Sequence, residues 1–214
     1  MNILYITASS KDESLSTSKQ VGKKFLEKLQ ENINAEITTL DLYNDFIPLP
    51  KAKYFTTRAS LVSGEYLENL SSSEKKDISR MEELTENFLA ADVIIIATPM
   101  WSISFPSVLK QYIDCICLNN KLISITEDEV KGLLTNKKRA MVYIQTSGGD
   151  YPAILSRVTN HGLTYMKDLF NFLGIYLFIP LLVEGTEQKG IGIDKAVNKT
   201  YEKFDNTIAK ILNM

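Results

Sequence analysis

Histidine, tryptophan and cysteine are scarce in this chain, with one His, one Trp and two Cys in 214 residues. The two cysteines, Cys115 and Cys117, stand two apart in an apolar segment. On a helix that spacing turns them roughly 200° from each other, so they can neither pair nor chelate a metal together. No disulfide framework is possible beyond them, which suits a reducing cytoplasm. No excess of one charge exists either: 24 Lys+Arg face 26 Asp+Glu, a net charge of −2. Nucleic-acid binding through bulk positive charge is therefore not expected. The opening residues Met1-Asn2-Ile3-Leu4-Tyr5 carry no basic n-region and no cleavage site. Leu169–Val183 is the one long apolar stretch, and Asn171, Gly174 and Pro180 interrupt it. It falls short of the ~20 residues a membrane span needs and reads as a buried helix end, a glycine turn and a core strand. Missing too are G-x-x-x-x-G-K-[ST], which excludes a P-loop, and G-x-G-x-x-G after the first strand, which leaves a dinucleotide site unsupported.

Apolar residues, by contrast, make up 44% of the chain, enough to rule out disorder and to fill a large core. Five runs have the length and β-branched content of buried strands: Asn2–Ala8, Glu36–Leu42, Asp92–Thr98, Ala140–Thr146 and Tyr176–Val183. The third does not alternate at all, as expected of a central parallel strand covered on both faces. Helical periodicity separates them, over Ser16–Glu31, Glu74–Ala90, Phe105–Leu118 and Pro152–Leu173, with a last helix over Asp194–Leu212. This alternation predicts a doubly wound α/β domain over residues 1–214, with a parallel sheet and helices on both faces. Segments 48–67 and 119–136 break the rhythm and are expected to be insertions over the rim of the sheet.

In such folds ligands bind at the carboxyl ends of the strands, so the residues after each strand carry the chemistry. After the first comes Ser9-Ser10-Lys11-Asp12-Glu13-Ser14-Leu15-Ser16-Thr17-Ser18, a hydroxyl cluster where a loop turns into a helix. Free N–H groups and the positive end of the helix dipole can hold a phosphate there, although Ser and Thr are also favoured simply as helix caps. After the third comes Pro99-Met100-Trp101-Ser102-Ile103, with Pro99 ending the strand and Trp101 at the rim, able to wall a planar ligand. After the fourth comes Thr146-Ser147-Gly148-Gly149-Asp150-Tyr151, whose paired glycines let backbone amides approach a ligand closely. One loop for a phosphate and two to flank a flat ring describe a mononucleotide with an uncharged aromatic body. Flavin mononucleotide (FMN) fits.

These residues resemble the FMN-dependent NADH-azoreductase family, flavodoxin-like NADH:quinone oxidoreductases, over nearly the whole chain. The most specific stretch is Pro99 to Asp114, similar to the family's P-M-[YW]-N-F-x-[IF]-P-x-x-L-K-x-[YW]-[IF]-D. Ser10, Ser16 and Ser18 match the phosphate loop S-x(5)-S-x-S, and Thr146 to Gly149 match [ST]-x-G-G. The chain departs from the pattern at Ser102 and Ile103, where Asn and Phe are usual.

The resemblance implies a flavodoxin-like fold with a five-stranded parallel sheet in the order 2-1-3-4-5. By position it implies that Ser10, Ser16, Thr17 and Ser18 bind the FMN phosphate. Pro99, Met100, Trp101, Ser102 and Ile103 would edge the ring, and Thr146, Ser147, Gly148 and Gly149 would line its other side, with Tyr151 near the pyrimidine end. It also implies two-electron, ping-pong reduction of quinones and azo compounds, with NADH as hydride donor and no obligatory acid–base side chain. His161, expected mid-helix, then has no catalytic task. Members are homodimers whose partner chain completes each site, which makes Tyr165, Phe172 and the aromatic insertions candidate contacts. Two other readings stay open: a flavodoxin-like electron carrier, although carriers tend to be shorter and strongly acidic, and an FAD-dependent NAD(P)H:quinone reductase.

Overall fold

A computed structural model describes residues 1–150 and 159–214. The five expected strands are β1 (Asn2–Thr7), β2 (Glu36–Asp41), β5 (Val93–Pro99), β8 (Ala140–Thr146) and β9 (Leu177–Val183). They form one parallel sheet in the order β2-β1-β5-β8-β9, the order 2-1-3-4-5 of the sequence reading. Side chains alternate between two cores because successive Cβ atoms point to opposite faces. Leu4, Ile6, Ile94, Ile96, Met141 and Tyr143 face one core. Ile3, Tyr5, Val93, Ile95, Ala97, Val142 and Ile144 face the other. Both faces of β5 are buried, which explains its unbroken apolar run. Pro180 lies on the outermost strand, β9, where a missing N–H is tolerated.

On the first face pack α3 (Ser72–Ala90), α4 (Ser107–Ile116) and α5 (His161–Leu173), with Phe88 stacked on Phe170 at 5.6 Å between ring centroids. On the second pack α1 (Thr17–Gln30), α6 (Gly192–Tyr201) and α7 (Phe204–Leu212), where Phe25 meets Phe204 edge-on at 5.0 Å. Helix α3 begins two residues before the expected Glu74. Ser71 and Glu74 form a capping box, with the Ser71 hydroxyl accepting from the Glu74 amide and the Glu74 carboxylate from the Ser71 amide. The expected single helix over Asp194–Leu212 is two helices broken at Glu202-Lys203. The Thr200 hydroxyl donates to the carbonyls of both Ala196 and Leu182 at 3.1 Å, a local bond that bends helices, and Phe204 turns into the core immediately after it. Of the helix expected over Pro152–Leu173, residues 152–158 lie outside the described residues. Asn160 caps α5 by accepting from the Leu163 amide at 2.9 Å, so His161 opens that helix instead of lying mid-helix. The apolar stretch 169–183 is the end of α5, a left-handed Gly174 at φ 102° and β9.

Segment 48–67 holds a two-stranded ribbon, β3 (Phe55–Thr57) and β4 (Ser60–Leu61), followed by the short α2 (Gly64–Glu68). Tyr54 is fully buried there and its hydroxyl donates to Asp77 of α3. Segment 119–136 holds a second ribbon, β6 (Ile123–Ile125) and β7 (Val130–Gly132). The two segments touch through the Asn119 amide, which donates to the Ala59 carbonyl at 2.8 Å. The second also docks on the end of α5, where the Leu134 amide donates to Leu173 O, and sits beside Arg139 at the start of β8. It therefore lies at the amino edge of the sheet, away from the loops expected to bind. No helix among the described residues is long and apolar enough to cross a membrane.

Candidate functional site

Parallel register brings the carboxyl ends of β1, β5, β8 and β9 side by side, and backbone bonds carry it into the loops. The Ala8 amide donates to Ala97 O at 2.9 Å, Met100 to Thr146 O at 2.7 Å and Ser147 to Val183 O at 2.9 Å. Between the loops lies a cleft of about 350 Å³. Ser10, Ser16, Thr17 and Ser18 line it from the first loop, Pro99, Met100 and Trp101 from the second, and Thr146, Ser147 and Gly148 from the third. Ser102, Ile103 and Gly149, also singled out from the sequence, are not among the lining residues, and Tyr151 lies outside the described residues.

The first loop is folded by its own hydroxyls. Ser16 caps α1, its Oγ accepting from the Lys19 amide at 3.4 Å while donating to Ser9 Oγ at 3.0 Å and lying 3.2 Å from Ser18 Oγ. All three serines are buried from bulk solvent. The amides of Thr17 and Ser18 open α1 without an intrahelical partner, as the first amides of a helix must. Two contacts hold α1 this close to the sheet. Gly22 lies so near β1 and β5 that a Cβ there would meet Tyr5 Oη at 2.7 Å and Ala97 Cβ at 2.8 Å. Lys19 Nζ reaches Asp41 at the end of β2 at 2.8 Å. Burial works against the Asp41 charge, but bonds from Lys19, the Tyr43 amide and Asn44 more than offset it and hold its carboxyl below the usual range.

The second loop is a tight two-residue turn. Trp101 and Ser104 exchange backbone hydrogen bonds of 3.2 and 2.8 Å, and the residues between them, Ser102 and Ile103, have φ of 48° and 56°. This left-handed pair normally selects Asn-Gly. Its anchors lie below: the His161 amide donates to Ile103 O at 2.9 Å, and Gln145 Nε2 donates to Ser104 O at 3.2 Å. Asn160 Nδ2 in turn donates to Gln145 Oε1 at 2.6 Å. Trp101 is 47% exposed and meets the Tyr43 ring at 6.4 Å, 64° between planes. The only histidine thus supports the turn through its backbone.

The sequence reading overlooked a fourth loop, after β9, which brings Thr186 and Glu187 into the cleft, with Ile193 from the start of α6. It zips onto the glycine loop through the amides of Gly185, Thr186 and Glu187, which donate to the carbonyls of Gly149, Ser147 and Gly148 at 2.9, 3.2 and 3.1 Å. The rule that located the other three, that ligands meet the carboxyl end of each strand, would have found it. Gln145 and Asn160 carried no comparable signal, since one lies inside a strand pattern and the other inside a helical one. The thiols are not part of this site: Cys115 donates to Pro48 O at 3.1 Å, and burial pushes both thiols up to about 12.

Residues 1–208 match a family model described as flavodoxin-like fold. The FMN-dependent NADH:quinone oxidoreductase 1 of Clostridium acetobutylicum is 42% identical, over 98% of this chain and 95% of that protein. An FMN-dependent NADH:quinone oxidoreductase of Clostridium botulinum is 41% identical, over 96% of this chain and 97% of that one. Among solved structures, an FMN-dependent NADH-azoreductase from Bacillus anthracis in complex with FMN superimposes with a TM-score of 0.82 at 26% identity, covering 99% of both chains.

Proposed function

The chain belongs to the flavodoxin-like fold family, and from that membership we propose that it is an FMN-dependent NADH oxidoreductase acting on quinones and azo compounds. The observation that carries this reading is one cleft uniting a hydroxyl-lined helix start, an aromatic turn and a glycine loop. The donor set suits FMN. Ser16 and Ser18 with the opening amides of α1 offer neutral donors and a positive dipole end to a phosphate monoester, beside Lys11. Ser10, Ser16, Thr17 and Ser18 hold that phosphate, while the backbone from Pro99 to Ile103 and from Thr146 to Gly149 borders the ring. Bound FMN supplies two-electron transfer from NADH to the acceptor by a ping-pong sequence. The protein's part is orientation. Trp101 presents a flat surface at the mouth of the cleft, and the Gln145–Asn160 pair keeps its turn in place.

The chain functions as one domain and as a homodimer, a proposal supported by Leu15, Trp101 and Ile103, which leave large apolar side chains exposed around the cleft. Its compartment is the cytoplasm, in keeping with the free Cys115 and Cys117. FMN added to the purified protein is expected to lose fluorescence on binding, and NADH oxidation is expected to depend on menadione or methyl red. A protein that stays colourless with FMN overturns the reading. Bound flavin without acceptor-dependent NADH oxidation indicates an electron carrier instead, and release of FAD on heating replaces the cofactor. Ser16→Ala with Ser18→Ala is expected to weaken FMN about 10- to 100-fold through loss of charge-assisted hydrogen bonds, while riboflavin, which lacks the phosphate, is held as before.

A further inference from the structure

Glu187 is the one acidic side chain lining the cleft among the described residues. No hydrogen bond or ion pair reaches its carboxylate from those residues. The side chain is exposed, but the backbone that carries it is set closely. Its amide donates to Gly148 O at 3.1 Å, and the loop bonds of Gly185 and Thr186 hold the segment on the glycine loop. The carboxylate lies directly over Gly148, where a Cβ would stand 2.7 Å from Oε2. Any other residue at 148 would push the acid away. A carboxylate is an acceptor only, so whatever it meets must donate, and the phosphate held by the first loop cannot.

The geometry points to Glu187 as a further flavin-binding residue, accepting hydrogen bonds from neutral donors of the cofactor, its ribityl hydroxyls or its ring imide N–H. This rests on the flavin reading above. Gly148 is then required because it leaves room for the acid.

The test is fluorescence titration of the purified protein with FMN, riboflavin and lumiflavin, the last being the ring without its sugar chain. Glu187→Ala is expected to weaken FMN and riboflavin each about tenfold, the value of a charged hydrogen bond at a wet site. If lumiflavin is weakened as much, the donor is the imide; if it is unaffected, the donors are the ribityl hydroxyls. Either outcome upholds the inference. Glu187→Gln, which keeps an acceptor oxygen, is expected to recover part of the loss. Gly148→Ala displaces only the flexible end of the Glu187 side chain, so it is expected to cost about as much as Glu187→Ala and to add nothing in the double variant. Unchanged binding in Glu187→Ala overturns the inference, as does tighter FMN with unchanged riboflavin, which would mark simple repulsion of the phosphate. Fully additive losses overturn the positioning by Gly148. If wild-type protein binds no flavin at all, the functional reading fails instead.

Discussion

Ile103 is held at φ 56° in a turn that favours glycine, with its side chain 46% exposed and burying little in return. Ile103→Gly is therefore expected to stabilise the protein by about 0.5–1 kcal/mol, read as a higher thermal midpoint, with the Trp101 turn intact. Glu184 carries strain of a different kind. Burial first, and the nearby charge of Asp150 second, raise its carboxyl above the usual range, and its Oε1 is buried with no partner among the described residues. An acid whose folded pKa is raised weakens the fold as pH climbs from the unfolded value through the folded one. Glu184→Gln should stabilise the protein at neutral and alkaline pH by about 0.5–1 kcal/mol at this half-exposed position, read as a higher thermal midpoint. In acid, where both states are protonated, the gain should vanish; a gain equal at all pH values would rule the explanation out.

At the level of elements, α1 matters most, because its hydroxyl-rich first turn lines the cleft and its packing depends on a missing side chain. Gly22→Ala improves helix propensity by about 1 kcal/mol but forces a Cβ into Tyr5 and Ala97. The expected net effect is destabilisation by about 1–2 kcal/mol, together with weaker FMN binding as the helix start moves off the sheet. Unfolding curves and flavin titration of the same preparation check both. The elements also show where periodicity misled. Thr200, bonded back to Ala196 and across to Leu182, divides a stripe of apolar residues that reads as one helix. The start of α3 was legible in Ser71-x-x-Glu74, yet the apolar stripe alone placed it two residues late.

At the scale of the whole molecule, Leu15, Trp101 and Ile103 leave large apolar side chains exposed around the cleft. Light scattering of the purified protein is expected to give twice the chain mass, and dilution to monomer should weaken acceptor reduction more than FMN binding. A monomer with full activity would rule out a site completed by a partner. Of the aromatic contacts suggested for that partner, Phe172 and Tyr66 are exposed, whereas Tyr165 packs on Phe105 at 5.6 Å and Tyr54 is core.

The five strands, most of the helices and three of the four cleft loops could be read from residues alone, because burial on two faces imposes unbroken β-branched runs and burial on one face imposes a 3.6-residue stripe. Hydroxyls at a helix start and paired glycines are likewise local signals. The fourth loop was within reach of the strand-end rule, but the chain as written held no trace of Gln145 and Asn160 under the Trp101 turn or of the Glu187 carboxylate above Gly148. Those pairings join residues some 15 to 41 apart in sequence. Only closing the parallel sheet, which aligns the carboxyl ends of its strands, brings them within hydrogen-bonding distance.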